Sequence, residues 1–343
     1  MYRQKLSTDF YTKSINVNNV VEINIHTIPK LYKYQPITKY SLVNFENDEI
    51  WGSTPIAFND PYDSAICYSQ MKLKEAIRKN LSSAREQAYK KFFRVGNMKC
   101  LLDKLVSYIW NDELLRNQYI ISCFSINNDS EIMWAHYADA ARGFCLEYSG
   151  EELMGVAKRT SQNIIKRVEE LIPFRIDTDI MKKIDKNYIL PVLYVNKKIN
   201  ITDQIIELLP IGLEMMDLIA GLNLPHEILS IFSEDNINLI LKKSLVNRLI
   251  SQNILCRKNT DWKYEQEWRI FSYNEHCYFG SPHKSHMCIG NIVAQAVYLG
   301  EKMLPETRKD VIEIAQKKNI PIFEMKSKML SRNFRLKSVP VIY

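Results

Sequence analysis

Lys263-Tyr264-Glu265-Gln266-Glu267-Trp268-Arg269-Ile270-Phe271 sets two carboxylates and a guanidinium at every second position among aromatic and apolar residues. Side chains on a strand alternate between faces. This period therefore puts Glu265, Glu267 and Arg269 on one face and Tyr264, Gln266, Trp268 and Ile270 on the other. One face packs into a core through Trp268 and Ile270, and the other lines a polar surface or a cleft. Two carboxylates about 7 Å apart along a strand repel each other unless a cation, a hydroxyl or a metal stands between them. The simpler reading of the same pattern is a solvated sheet face carrying a Glu267–Arg269 pair.

Outward from this strand, the chain of 343 residues, 46% of them hydrophobic, is long enough to bury a sizeable core. The N-terminal stretch is polar, and no run approaches the roughly 20 apolar residues that a membrane span needs. The expectation is a soluble, cytoplasmic protein. Seven scattered cysteines, none in a CxxC pair, suggest neither a disulfide framework nor a tetrahedral zinc site. His276, Cys277, His283, His286 and Cys288 fall together in one polar segment that has metal-ligand chemistry, though a loop explains it equally well. The net charge of +7 is segregated: Lys72–Lys104 contributes +7 and Lys302–Lys337 contributes +6, leaving the remainder near −6. Such basic segments attract phosphates.

"LYKY" (31–34) and "EIWGS" (49–53) read as short strands, and Asn59-Asp60-Pro61 as a rigid turn. From Ile66, apolar residues recur through Leu73, Ile77, Leu81, Ala84, Ala88 and Phe92, which predicts one long helix with a basic outer face over 65–94, N-capped by Asp63. "QYIISCFS" (118–125) and "FCLEY" (144–148) read as strands flanking a helix "SEIMWAHYADAA" that Gly143 ends, with Met133, Trp134, Tyr137 and Ala140 as its packed stripe. Residues 201–255 are helical by periodicity, Ile237, Leu241, Leu245 and Leu249 marking the last stripe. Strands at "AVYLG", "PIFEM" and "SVPVIY" and a helix over 305–319 complete the chain. The result is a single α+β domain over 1–343 with a mixed sheet, a basic helical segment at 65–118 and a large helical insertion or subdomain at about 151–255.

Several polar residues in these blocks could meet a ligand. Ser53, Thr54, Asn59, Asp60 and Asp63 offer hydroxyl, amide and carboxylate groups in and beside a fixed loop, and His136 and Arg142 are the members of their block with chemical range.

The blocks "LYKY", "IWGSTPIAFNDPYDS", "SCFS", "IMWAHYADAARGFCLEY" and "WKYEQEWRIF", in this order over residues 31–300, resemble domain-of-unknown-function family 2971, a bacterial family found among phage-defence and toxin-like genes. That resemblance implies an antiphage or toxin-like effector, acting with a defence-system partner protein. A second resemblance is to ADP-ribosyltransferases. Lys33 stands where that pattern has Arg or His, Ser53-Thr54-Pro55 where it has a Ser-Thr-Ser type motif, and Glu265-Gln266-Glu267 supplies the Glu-x-Glu, about 210 residues further on. It implies a split sheet and NAD as substrate. In those terms Glu267 is the fixed carboxylate facing a positively charged oxocarbenium. Glu265 orients or activates the acceptor, Ser53 holds Glu267, and Lys33 or Arg269 contacts the phosphates. Two rival readings stand beside it: a nuclease in which Asp60, Asp63, Glu265 and Glu267 hold Mg²⁺, and a non-catalytic subunit that docks nucleic acid or a partner through the basic helix 65–94.

Overall fold

The computed structural model describes residues 11–15, 21–25, 27–109, 116–117, 119–169, 189–220, 253–274, 285–327 and 335–342. A hairpin of β1 (Tyr11–Ile15) and β2 (Val21–Ile25) comes first. β3 (Leu31–Gln35) leads into α1 (Lys39–Glu46), where Thr38 and Ser41 form a reciprocal capping box, and then β4 (Glu49–Ser53). The short β5 (Ile66–Cys67) precedes α2 (Gln70–Asn80), α3 (Ser83–Phe93) and α4 (Met98–Ile109). β6 (Tyr119–Ser125), α5 (Glu131–Tyr137), β7 (Phe144–Tyr148) and α6 (Gly150–Glu169) follow. Next come β8 (Ile189–Pro191), β9 (Leu193–Val195), β10 (Ile199–Asn200) and α7 (Thr202–Ile219). The last described stretches hold β11 (Arg257–Asn259), a 3₁₀ turn (Thr260–Glu265), β12 (Glu267–Tyr273), β13 (His286–Asn291), β14 (Ala296–Leu299), α8 (Pro305–Lys317), β15 (Ile322–Lys326) and β16 (Lys337–Pro340).

Ten of these strands form one mixed sheet, in which β14 and β15 are parallel and the other pairs antiparallel. Its centre is β6. One edge of β6 is paired along its whole length by β12, and β8 lies beyond that as an edge strand, where the terminal Pro191 is tolerated. The opposite edge is shared. β4 meets β6 at Ser53↔Ile121, and β3 meets it at Tyr32↔Ser125, so the sheet forks there and is split.

Helices cover both faces. Ile120, Phe124, Trp268 and Ile270 pack with Phe45 of α1, Leu153 and Ala157 of α6, and Val311 and Ala315 of α8. On the other face Ile121 and Phe271 pack with Leu73, Ile77, Tyr89, Leu101, Leu105 and Leu213 from α2, α3, α4 and α7. A third cluster, Tyr34, Met133, Trp134, Cys145 and Tyr298, closes that face around α5. The alternation of Trp268 and Ile270 with Arg269 and Phe271 is therefore the division between the two faces, as the sequence of β12 implies.

Three expectations change. The single helix over 65–94 is β5 followed by two helices, because Ser69 and Ser82 each accept an N-terminal backbone N–H and restart the chain; Asp63 caps nothing and is buried. The helix at "SEIMWAHY" is capped by Ser130 but stops at Tyr137, since Asp139, Ala140 and Ala141 are all left-handed. Gly143 then runs so close to the Gln35 carbonyl that any Cβ would collide with it. The helical insertion over 151–255 is interrupted by β8, β9 and β10, of which β8 belongs to the main sheet. The stripe at Ile237, Leu241, Leu245 and Leu249 lies outside the described residues, as do His276, Cys277 and His283.

Trp134 is 1% exposed, donates from Nε1 to the Asn128 carbonyl at 2.6 Å, and meets the Tyr34 ring edge-on at 5.3 Å. Trp134→Ala should lower unfolding free energy by about 3–5 kcal/mol in denaturant titration; an unchanged midpoint would show that the indole is not part of the core.

Candidate functional site

The polar face of β12 is built around a guanidinium. Arg269 is 0% exposed, and its fork holds Asp63 with two bonds, Nη1 to Oδ1 at 2.8 Å and Nη2 to Oδ2 at 2.6 Å. Nε donates to Glu267 Oε1 at 2.8 Å, Nη2 also reaches Glu267 Oε2 at 3.1 Å, and Nη1 donates to the Leu255 carbonyl. Burial alone would weaken the charge on Arg269, but Asp63 and then Glu267 reverse this and hold it well above the ordinary arginine value.

Glu265 does not lie on β12. It ends the 3₁₀ turn, and Gln266, left-handed at φ 45°, bends the chain between the two glutamates. Neighbouring strands fix this bend: Ser125 Oγ donates to the Glu265 carbonyl at 2.7 Å, Asn127 Nδ2 to Gln266 Oε1 at 2.8 Å, and the Glu267 N–H to Tyr194 Oη at 2.8 Å. Both carboxylates thereby face Lys258 of β11. Its ammonium donates to Glu265 Oε2 at 2.6 Å and Glu267 Oε2 at 3.3 Å and lies 3.7 Å from Asp63 Oδ2. It also sits 4.8 Å from the centre of the Trp262 ring. Tyr137 of α5 donates to Glu265 Oε1, its phenol kept protonated by burial and then by the Glu265 charge.

Three buried carboxylates thus share two cations, a formal excess of one negative charge. The environments of the two glutamates divide it. Burial would raise Glu267, but Arg269 and then Lys258 overcome this and hold it far below the usual carboxylate range. Burial, and then the Glu267 charge, push Glu265 up to about 7, against the opposing pull of Lys258. Glu265 is consequently the member that takes a proton first.

Above this cluster lies a cavity of about 330 Å³. Glu265, Glu267 and Lys258 reach it from below, and Tyr32, Tyr34, Phe58, Met133 and Tyr137 supply aromatic and apolar walls, with Asn59 and Cys123 beside them. Burial first, and then Glu267, hold the Cys123 thiol well above its ordinary value, so it is a neutral lining group.

The anticipated residues fall into distinct places. Glu265, Glu267 and Asn59 line the cavity; Asp63 and Arg269 form its support, and with its donors engaged Arg269 cannot clamp phosphates as expected. Asp60 is buried behind the turn, where Oδ1 accepts from the Tyr62 N–H. Lys33 pairs in register with Leu146 and so projects from the opposite face. Its ammonium fills the fork between β3 and β4, donating to Ser122 Oγ at 2.8 Å above the Phe124 ring. Burial pulls its charge down there, against Cys123 and Glu267. Ser53 aligns with Ile121 and hence with Phe271, four residues along β12 from Glu267, or roughly 13 Å. It cannot hold that carboxylate; Lys258 and Arg269 do. His136 is exposed on α5, with Nδ1 3.3 Å from Tyr264 Oη, and Arg142 pairs with Asp139 at the surface. Four residues that matter were not singled out as chemical: Lys258, Tyr137, Tyr32 and Tyr34.

The carboxylates do not fit the Mg²⁺ set of the nuclease reading. Asp63, Glu265 and Glu267 already converge on an ammonium and a guanidinium, and Asp60 is not with them. Among the described residues there is no group of three or more His, Cys, Asp or Glu able to hold a metal ion, and no helix long and apolar enough to cross a membrane.

Residues 133–270 match the family described as "Protein of unknown function (DUF2971)". The match is narrower than the blocks over 31–300 and contains Tyr137, Lys258, Glu265, Glu267 and Arg269, but not Asp63 or the tyrosines of β3. No curated protein and no solved structure matches the chain.

Two outcomes follow from the charges. Arg269→Met should cost about 3–5 kcal/mol of stability, because Asp63 and Glu267 would be left buried with less compensation; a loss under 1 kcal/mol would deny the guanidinium this role. The raised Glu265 binds its proton more tightly folded than unfolded, so it makes stability fall as pH rises from about 4.5 to about 7, whereas depressed Glu267 contributes stability that is lost below about 4.5. Glu265→Gln should therefore remove the decline between about 4.5 and about 7 and leave the acid limb intact. An unchanged profile between those values would contradict the assignment.

Proposed function

We propose that the chain is an enzyme acting on the N-glycosidic bond of a nucleotide, with NAD as the substrate, either transferring ADP-ribose or hydrolysing the bond. The observation that carries the reading is the pair Glu265 and Glu267, held at opposite proton affinities under an aromatic cavity with one excess negative charge. The nicotinamide of NAD is an aromatic cation, and its ring suits walls made of Tyr32, Tyr34, Phe58 and Tyr137. As the C1′–N bond breaks, its electron pair neutralises the nicotinamide ring and positive charge develops on the ribose. Fixed Glu267 faces that charge. Glu265, near neutrality in proton affinity, accepts the proton of the attacking water or acceptor hydroxyl. Tyr137 and Lys258 orient its two oxygens.

This reading keeps the two glutamate roles of the ADP-ribosyltransferase resemblance without the roles of Lys33, Ser53 and Arg269. The setting, a cytoplasmic antiphage or toxin-like effector with a defence-system partner, is proposed on the family resemblance alone. The exposed Lys and Arg residues of α2 and α3 are the surface where nucleic acid or that partner would dock.

The test is nicotinamide release from NAD by the purified full chain. Release is expected, with Glu267→Gln and Glu265→Gln each lowering it by about 100-fold or more at unchanged or raised melting temperature. No release by the natural chain, or equal release by Glu267→Gln, would overturn the proposal.

A further inference from the structure

A second cavity, about 240 Å³, lies beside the first and shares Lys258 with it. β9 and β11 run parallel in the register Leu193↔Arg257, Tyr194↔Lys258 and Val195↔Asn259. Because side chains alternate, Lys258 turns towards the glutamates and Arg257 away from them. The turn after β9 brings up Asn196, Lys197 and Lys198, with Thr260 Oγ1 donating to Asn196 Oδ1 at 2.6 Å and the Asp261 N–H to Asn259 Oδ1 at 3.2 Å. The Lys198 ammonium sits 4.9 Å from the centre of the Tyr62 ring. Lys197, Lys198, Arg257 and Lys258 line this cavity, and among the described residues no carboxylate lines it. Lys258 is neutralised from the other side; Lys197 and Lys198 are exposed and charged.

We infer that this second cavity is an anion site that takes the pyrophosphate of the nucleotide whose reacting end occupies the first. Lys197, Lys198 and Arg257, beside the glutamate-paired Lys258, line a concave pocket with no carboxylate among its described lining residues, which matches a compact polyanion. The pocket is small and concave, unlike the extended basic track that a nucleic-acid backbone follows. The first cavity, at about 330 Å³, lies near the lower end of the range for small-molecule sites, so the rest of a dinucleotide must lie outside it. The neighbouring cavity is one lysine side chain away. The anion site stands on its own residues; only its place in the substrate rests on the glycosidic reading.

The experiment is calorimetric titration of the full chain with inorganic pyrophosphate, followed by NAD kinetics. Pyrophosphate should saturate one site, and Lys197→Ser/Lys198→Ser should weaken it by about tenfold or more. The charge-matched change Lys309→Ser/Lys317→Ser on α8 should leave it within about twofold of the natural chain. With NAD, the Lys197/Lys198 variant should raise KM with little change in kcat. Failure of pyrophosphate to saturate, or equal weakening by both double variants, overturns the anion site. Tighter binding of a single-stranded oligonucleotide than of pyrophosphate, lost in the Lys197/Lys198 variant, overturns it in favour of nucleic acid. Specific pyrophosphate binding without nicotinamide release upholds the anion site while the glycosidic reading fails. Nicotinamide release with KM unchanged in the Lys197/Lys198 variant removes the site from that substrate.

Discussion

The guanidinium of Arg269 holds two other pieces of chain, the turn carrying Asp63 and the end of the segment before β11 at Leu255, against Glu267 at the start of its own strand. A bidentate carboxylate fork, a second carboxylate and a backbone carbonyl together engage its donors in a site that water does not reach. Buried ion pairs of this kind contribute little net stability compared with apolar packing of the same shape, but removing one partner leaves charges that cannot be solvated. Asp63 and Arg269 are 206 residues apart in sequence, and their pairing docks the Asn59–Ser64 turn against the sheet. Phe58 and Asn59, at the start of that turn, line the cavity with the glutamates.

The remaining electrostatics follow from that anchor. Arg269 satisfies Asp63 and half-satisfies Glu267, so Lys258 is left to serve two glutamates, and one of them must yield. Geometry decides which: Glu267 has two cations, whereas Glu265 has one and a phenol. The left-handed residue Gln266 turns the chain between the two glutamates where both meet the lysine. A left-handed residue other than glycine costs about 1–3 kcal/mol, and the contacts of Ser125, Asn127 and Tyr194 hold this one in place. The same lysine separates the acidic cavity from the basic one, so a substrate carrying both a cationic ring and a diphosphate would find its charges complemented in order.

Parts of this were legible from residue order alone. The alternation in "EWRIF" divides the two faces of the sheet, because it reports the pleat itself, and the need for a cation between the two glutamates is met by Lys258, which bonds both. What was not legible depends on partners distant in sequence. Asp63 has the form of a helix cap, yet a buried guanidinium competes for it more strongly than an N-terminal backbone group does. Lys33 and Ser53 have a suggestive order, but strand register sends one to the opposite face and the other along the strand. Lys258 sits in an ordinary "CRKNT" stretch, where the only signal was a pair of charges following the short apolar run "ILC". Tyr137 looked like one member of a packed stripe; its ring does pack there, and its hydroxyl reaches beyond the core to Glu265.

The division of charge between the two glutamates can be read directly by carbon NMR of the labelled side-chain carboxyls, assigned through the Glu265→Gln and Glu267→Gln variants. The account predicts that the Glu265 carboxyl titrates with a midpoint of about 7 while Glu267 stays ionised throughout the range in which the protein is folded. Two carboxyls titrating together near the ordinary glutamate value of about 4.3 would contradict it.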